Sequence, residues 1–430
     1  MRPTRIVFYG NFGAGNLGNE VTLQTAIEET LRRLPGAGLL CVCTDPQDVR
    51  TRHGIEAAPA MSRESGWSWS DLTAHPAGVG NRAARISRPA AALARVGRIL
   101  FQRVPREFAH WCQMLRVIAR SDLFLVPGTG IVTDGSCGSF GWPYDMFKLT
   151  LLARLCGKRV VYLSVGAGPF RYRLGCWFIR RSLGLAHYRS YRDVDSKRRL
   201  AAIGFHGEQD PVCPDLVFGL SRAHLAEPRS GTAPARIVGL GLKDYATPVD
   251  AADARSYHDY LGVMADFVTA LQARGHAVRL IIGDAQYDTR VREDLIALLK
   301  ARGAPATAPG LLSDPVPTVS ELLGQLRETD AVISPRFHNL VLALLLNKPV
   351  IALSDLPKVT ALLADLGLER YCLSLEGLTS ADLTDRFAQL ESDAGKLKGY
   401  IGEAAESYRR AVDEQYGRVY GEIASPKSIH

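Results

Sequence analysis

Ser334-Pro-Arg336-Phe-His338 puts a guanidinium and an imidazole two positions apart. An apolar run, 331–334, precedes the segment and a strongly apolar stretch follows it, so the pattern predicts a strand end, a turn and a helix starting near His338. Residues two apart in an extended turn face the same side, beside a helix N-terminus that favours negative charge. A planar guanidinium grips carboxylate or phosphate through paired hydrogen bonds, and an imidazole moves protons near neutral pH. Arg336 and His338 are therefore the candidate catalytic pair, with Ser334 beside them. Lys358 stands at a second such junction, after the apolar run 349–353 and Pro357. Arg192 stands at a third, in Tyr-Arg192-Asp193-Val-Asp-Ser196, where Asp193 occupies a helix-cap position. Each alone has a plain structural reading: a surface arginine, a first-turn lysine, a packed histidine. Together they suit one multiply charged anion.

Two glycine-rich segments supply small residues where a ligand could approach the backbone. The first, Gly10-Asn-Phe-Gly-Ala-Gly-Asn16-Leu-Gly18-Asn19-Glu20, contains GxGxxG between a strand-like and a helix-like stretch. It reads as a dinucleotide pyrophosphate site with Asp45 as the ribose acid, as a structural turn, or as a substrate-contacting loop. The extra asparagines favour the last, with Asn16, Gly18 and Asn19 as contacts. The second, Pro-Gly128-Thr129-Gly130-Ile-Val-Thr-Asp134, follows an apolar run, and exposed amides there could cradle an anion. Gly166-Ala-Gly168 repeats the pattern one strand later.

These residues need a frame. Strand signals at 5–9, 39–44, 123–126, 160–165 and about 187–191 alternate with helical periodicity at 21–34, 110–120, 144–156 and 194–203. A polar, aperiodic stretch, 221–236, reads as a linker. Strands then recur at 237–242, 278–282, 331–334 and 350–353, with helices at 252–274, 290–301, 319–328, 339–346 and 358–366. Such alternation makes parallel sheets covered on both faces, and 430 residues exceed one core. The expectation is an α/β protein with two Rossmann-like doubly wound domains, 1–220 and 237–381, facing across a cleft in a GT-B-like arrangement. Charged helices over 382–430 would pack back on the first domain. Ligands in such folds bind beyond the carboxyl ends of the strands.

Lys and Arg number 52 against 44 acids, a formal charge of +8, which suits phosphorylated metabolites or lipid headgroups. Nucleic acid fits poorly, because the basic excess is local and lacks interleaved aromatics. Between Asp71 and Glu107 there is no acid, while Arg82, Arg85, Arg88, Arg95, Arg98, Arg103 and Arg106 fall there. That stretch reads as a solvated basic insertion or as peripheral contact with an anionic membrane. Eight cysteines without a CxxC pair argue for free thiols, no disulfide framework and no metal site. No apolar run reaches the ~20 residues of a membrane span, and the start lacks a secretory pattern. A cytoplasmic location, with a peripheral one at the inner membrane face as its variant, is the expectation.

Taken in order, Gly-Asn-Leu-Gly-Asn-Glu20, Pro-Gly128-Thr-Gly, Arg192-Asp-x-x-Ser196, Pro-Asp215-Leu-Val-Phe, Ser334-x-Arg336-x-His338 and Pro-Lys358 resemble the polysaccharide pyruvyl transferase family, from Arg5 to about Leu375. Asn19 departs from the family's usual acid, and Thr129 interrupts its glycine run. The resemblance implies phosphoenolpyruvate as donor substrate, no cofactor, and a glycan or lipid-linked sugar as acceptor, giving a cyclic ketal and free phosphate. It implies donor binding by Arg192, Ser334, Arg336 and Lys358, and catalysis by His338 with Arg336. Substrate contacts would come from Asn16, Gly18, Asn19, Gly128, Thr129, Gly130, Asp134 and Asp215. The alternatives are a GT-B-type glycosyltransferase using a nucleotide sugar and a non-catalytic anion-binding relative. The acceptor sugar and the oligomeric state stay open.

Overall fold

A computed structural model describes residues 3–61, 104–135, 137–225, 236–244, 251–303, 310–354 and 356–423. Most of the arginine-rich stretch, Arg82 to Arg103, and much of the expected linker lie outside the described residues. Two six-stranded, all-parallel sheets organise the rest. The first contains β1 (Arg5–Tyr9), β2 (Gly38–Cys43), β3 (Glu56–Pro59), β4 (Leu123–Pro127), β5 (Arg159–Val165) and β6 (Tyr188–Tyr191) in the order β3-β2-β1-β4-β5-β6. The second contains β7 (Ile237–Leu242), β8 (Ala277–Ile282), β9 (Leu311–Leu312), β10 (Ala331–Ser334), β11 (Val350–Leu353) and β12 (Cys372–Leu373) in the order β12-β11-β10-β7-β8-β9. All five residues of β4 and all four of β11 are buried, as strands covered on both faces must be.

Each sheet reverses its strand order once, between β1 and β4 and between β7 and β10. Crevices open at the carboxyl ends of the strands at such switch points. Both glycine loops flank the first switch, and the turn carrying Arg336 and His338 flanks the second.

The first domain carries α1 (Leu17–Arg33), α2 (Pro46–His53), α3 (Val104–Ala119), α4 (Trp142–Leu155), α5 (Arg173–Gly184) and α6 (Val194–Ala202). The second carries α7 (Ala251–Ala273), α8 (Asp288–Ala301), α9 (Val319–Glu328), α10 (Phe337–Leu345) and α11 (Pro357–Asp365), before the long α12 (Ser380–Arg418). Sequence periodicity missed α2, β3, α5, β9 and β12. Helix α2 buries a single residue, Val49, so it shows no apolar stripe; Asp45 at its N-cap, Pro46 and a left-handed Gly54 bound it. Helix α1 starts four residues before its apolar pattern. Asn16 caps it, its side chain accepting from the Asn19 amide at 3.2 Å, which places Gly18 in the first turn.

Helix α12 spans both domains. Near its start Phe387 packs on Phe267 with ring centres 6.2 Å apart, and Tyr371 donates to Asp393. Near its end Gln415 donates to Ser164 Oγ at 2.9 Å, and Arg33 donates to the Asp413 carbonyl at 2.9 Å. The domains also touch at the cleft, where Asn16 and Asp284 form an antiparallel bridge. The Leu17 amide donates to the Gly283 carbonyl at 3.0 Å and the Ala285 amide to the Gly15 carbonyl at 2.9 Å. Among the described residues no helix is long and apolar enough to cross a membrane, and no His/Cys/Asp/Glu group could hold a metal. All eight cysteines are free.

Candidate functional site

Four adjacent strands of the second sheet deliver charged groups to one edge. Lys358 follows β11, Arg336 and His338 follow β10, Lys243 follows β7, and Asp284 and Asp288 follow β8. Arg336 is the N-cap of α10, and its amide donates to Ser334 Oγ at 3.0 Å. Its guanidinium bonds Asp288, a fully buried carboxylate opening α8. Asp288 also accepts amides from Asp244 (3.0 Å), Gly283 (3.2 Å) and Asp284 (3.0 Å), so it is fixed before it fixes Arg336. Arg336 Nε has no hydrogen-bond partner among the described residues. Ser334, expected at the ligand, is instead buried beneath the turn. A Cβ on Gly241 would meet its Oγ at 2.1 Å, leaving that side no space for a ligand.

His338 is the second residue of α10, and its ring lies against Gly18 of the opposite domain. A Cβ on Gly18 would stand 2.0 Å from His338 Nδ1. His338 Nε2 is 3.8 Å from Asp215 Oδ2, beyond hydrogen-bond length, and has no hydrogen-bond partner among the described residues. Asp215 accepts the Val217 amide at 3.0 Å and Arg192 Nη1 at 3.2 Å. Burial alone would raise its pKa; His338, Arg192 and the Val217 amide outweigh burial and hold it at about 2. Asp215 was expected to contact substrate. It is buried, paired with Arg192, and stands 3.8 Å from the His338 ring.

The cations perturb one another. Burial, then Arg192, Lys243 and Arg336, bring Lys358 down to about 7 against the opposing pull of Asp215. Burial and Arg336 lower Lys243, with Asp288 opposing. Burial, with Lys358 and Arg192, lowers His338 despite Asp215, so the ring is neutral at physiological pH. Phe337 lies between two of these charges, 4.7 Å from Arg192 Cζ and 5.5 Å from Lys358 Nζ. Gly166 makes the approach of Arg192 feasible, since a Cβ there would meet Nη2 at 2.3 Å. Asp193 caps α6 through the Ser196 amide at 2.6 Å.

The first glycine loop is filled by protein. Gly13 and Gly15 take positive φ, +77° and +75°. Buried Glu20 accepts the Gly13 amide at 2.8 Å and lies 2.9 Å from His53 Nε2. Asn16 donates to Asp284 at 3.3 Å, and Asn19 donates to the Asn11 carbonyl at 2.9 Å. Burial raises the Asp284 pKa, with Arg336 opposing. Asn16 and Asn19 thus close the loop and the domain contact through their side chains. The dinucleotide reading fails on the same geometry. Gln286 lies against Gly15, His338 occupies the side of Gly18, and Asp45 caps α2 through the Gln47 amide at 2.8 Å.

In the second loop Gly128 packs on Leu216 and on Thr22, one helical turn from Gly18. Among the described residues the buried Thr129 hydroxyl has no hydrogen-bond partner, and nothing stands beside the exposed Gly130. Asp134 was also expected at the substrate. Both its oxygens are taken by backbone amides, Arg171 at 2.6 Å and Tyr172 at 2.9 Å, and it serves as the mount of α5.

The family model for polysaccharide pyruvyl transferase matches residues 16–355. The chain belongs to that family. Its membership covers the Asn16 cap, the Arg192 step, the Arg336–His338 turn and the strand before Lys358. No curated protein matches the chain in sequence. Among solved structures, a putative UDP-N-acetylglucosamine 2-epimerase from Listeria monocytogenes aligns with TM-score 0.57 and 12% identity over 98% of this chain and 97% of that one. A glycosyltransferase from Rickettsia africae ESF-5 aligns with TM-score 0.56 and 12% identity over 99% and 100%. The UDP-GlcNAc 2-epimerase from Methanocaldococcus jannaschii gives 0.55 and 10% over 90% and 92%. Likeness at that identity is one of fold: two parallel-sheet α/β domains in the GT-B arrangement.

This family member's site holds residues that local sequence did not mark. Lys243 shares the pattern of a cation after a strand, but no motif surrounds it. Asp288 gave no signal, because a carboxylate opening a helix is commonplace.

Proposed function

We propose that the protein transfers the pyruvyl unit of phosphoenolpyruvate to two hydroxyls of one sugar in a glycan, forming a cyclic ketal and releasing phosphate. The observation that carries this reading is the convergence of Arg192, Lys243, Arg336 and Lys358 around Phe337 and His338, which depresses both lysines. Such mutual repulsion is relieved by an anion of about three charges, which this donor is at neutral pH.

In this scheme the cations hold the donor's carboxylate and phosphate. Neutral His338 takes the proton of the first hydroxyl and, as imidazolium, delivers it to the methylene carbon, which becomes methyl. The sugar oxygen bonds the central carbon. The carbon–oxygen bond to phosphate then breaks with its electron pair leaving on phosphate, where the guanidinium groups stabilise the charge. The second hydroxyl closes the ketal and its proton leaves with phosphate. Asp215 keeps Arg192 and His338 in place, and Asp288 does so for Arg336. In this scheme the unpartnered Thr129 hydroxyl and the open side of Gly130 receive the acceptor.

The test is incubation with phosphoenolpyruvate and a panel of cell-envelope glycan precursors, following inorganic phosphate. Release should depend on acceptor and fall about 10²–10⁴-fold in Arg336→Ala and His338→Ala. Undiminished release in both variants would overturn the assignment. So would consumption of a nucleotide sugar with none of phosphoenolpyruvate.

A further inference from the structure

Between Asp145 and Asp193 the chain has no acidic residue. Helix α5 lies in the middle of that run and is two-faced. Gly175, Phe178, Ile179, Ser182 and Leu183 are buried, with Phe178 packed on Tyr144 and Phe147 of α4. The outer face and the turn before it expose Tyr172 (49%), Leu174 (44%) and Trp177 (36%) among four exposed arginines, 171, 173, 180 and 181. None of these arginines forms an ion pair among the described residues.

The apolar part continues onto neighbouring elements. Trp177 packs on Phe147 with ring centres 5.4 Å apart, and Phe178 joins it to partly exposed Phe140 at 6.0 Å. Tyr144, also on Phe178, donates to Glu107 at 2.9 Å, and the next residue on α3, Phe108, is 69% exposed. The surface is rigidly presented: Asp134 holds the Arg171 and Tyr172 amides, and Gly175 fits against that carboxylate. Because α5 follows the carboxyl end of β5, its leading turn stands on the sheet edge that carries Arg192.

We propose that this face docks on an anionic lipid bilayer, with Tyr172, Leu174 and Trp177 in the headgroup layer and the four arginines on lipid phosphates. Single protruding apolar and aromatic residues set among unpaired arginines match a flat interface that is negative outside and apolar within. Docking places the cleft beside the membrane, within reach of an acceptor anchored there. The inference does not depend on which donor the cleft takes.

The test is co-sedimentation of the full chain with vesicles of phosphatidylcholine, alone or mixed with phosphatidylglycerol. Binding is expected only to the mixed vesicles, fading with salt as the screening length falls from about 10 Å at 0.1 M to about 3 Å at 1 M. Each arginine near the surface is worth about fivefold, so the triple Arg173→Gln, Arg180→Gln, Arg181→Gln variant should bind roughly a hundredfold more weakly. Leu174→Ala with Trp177→Ala should weaken binding at every salt concentration. Unchanged thermal midpoints establish that the variants fold, and the arginine variant serves if the apolar one does not. No binding to either vesicle, equal binding to both, or undiminished binding by the folded variants would overturn the proposal. So would a concentration-dependent dimer of the native chain that Trp177→Ala dissolves, since a second copy would then own the face.

Discussion

Lys358 offers the sharpest check on the electrostatics of the cleft. Its pKa of about 7 is set by burial and by Arg192, Lys243 and Arg336, so in the free protein it carries only part of its charge at neutral pH. A bound polyanion reverses that balance and draws a proton onto it. Donor binding should therefore take up about half a proton at Lys358 at pH 7 and about 0.9 at pH 8. The sign follows directly: below pH 7 the lysine is already charged and adds no pH dependence. Above pH 7 the dissociation constant rises, approaching tenfold per pH unit, until the pKa of the bound state is reached. Calorimetric titration with phosphoenolpyruvate at pH 8, in buffers of different ionisation enthalpy, reads the proton count as a slope. Lys358→Arg should lose the Lys358 share of that uptake, because a guanidinium stays charged, leaving only what Lys243 and His338 contribute. Lys358→Met should lose the same share at pH 8, and at pH 7 should lose about 1.5–3 kcal/mol of binding, or roughly 10- to 150-fold. Proton uptake near zero in the unsubstituted protein, or uptake undiminished in Lys358→Arg, would refute the reasoning.

Two further outcomes test the supports of the site. Gly18→Ala improves helix propensity by about 1 kcal/mol yet drives a methyl to 2.0 Å from His338 Nδ1. Turnover should fall about 10²-fold while donor affinity, read by calorimetry, stays within a few-fold; native turnover would mean that α1 does not approach the imidazole. Asp215, at about 2 against an ordinary 3.8, contributes about 2 kcal/mol that is present above pH 4 and lost as pH falls through 2. Acid unfolding followed by circular dichroism should therefore be shallower between pH 4 and 2 in Asp215→Asn, itself less stable at pH 7 by about 3–5 kcal/mol because Arg192 loses its buried partner. Equal acid slopes would contradict this.

Which polar residues are already engaged by the protein itself is what local sequence does not show. Ser334, Asp134, Asp215, Asn16 and Asn19 all sit in loops at strand ends, where a ligand contact and a backbone clamp look alike. Their neighbours come from elsewhere in the chain: Gly241 against Ser334, the Arg171 and Tyr172 amides on Asp134, Arg192 and His338 around Asp215, Asp284 on Asn16. A carboxylate with its lone pairs taken by amides is spent, and nothing within ten residues of Asp134 reports that. Gly18 was singled out for backbone approach to a ligand, and the group that approaches is an imidazole 320 positions along the chain.

The sequence alone determined the alternating architecture and the placement of Arg192, Arg336, His338 and Lys358 at strand ends. A buried parallel strand is a short apolar run, and the residue after it always emerges on the sheet's carboxyl edge. Only the tertiary structure decided which of those edges meet, that Lys243 and Asp288 join them, and that the first glycine loop is closed by the second domain. Contacts of that kind depend on the order of strands and the approach of two sheets, which no local spacing encodes.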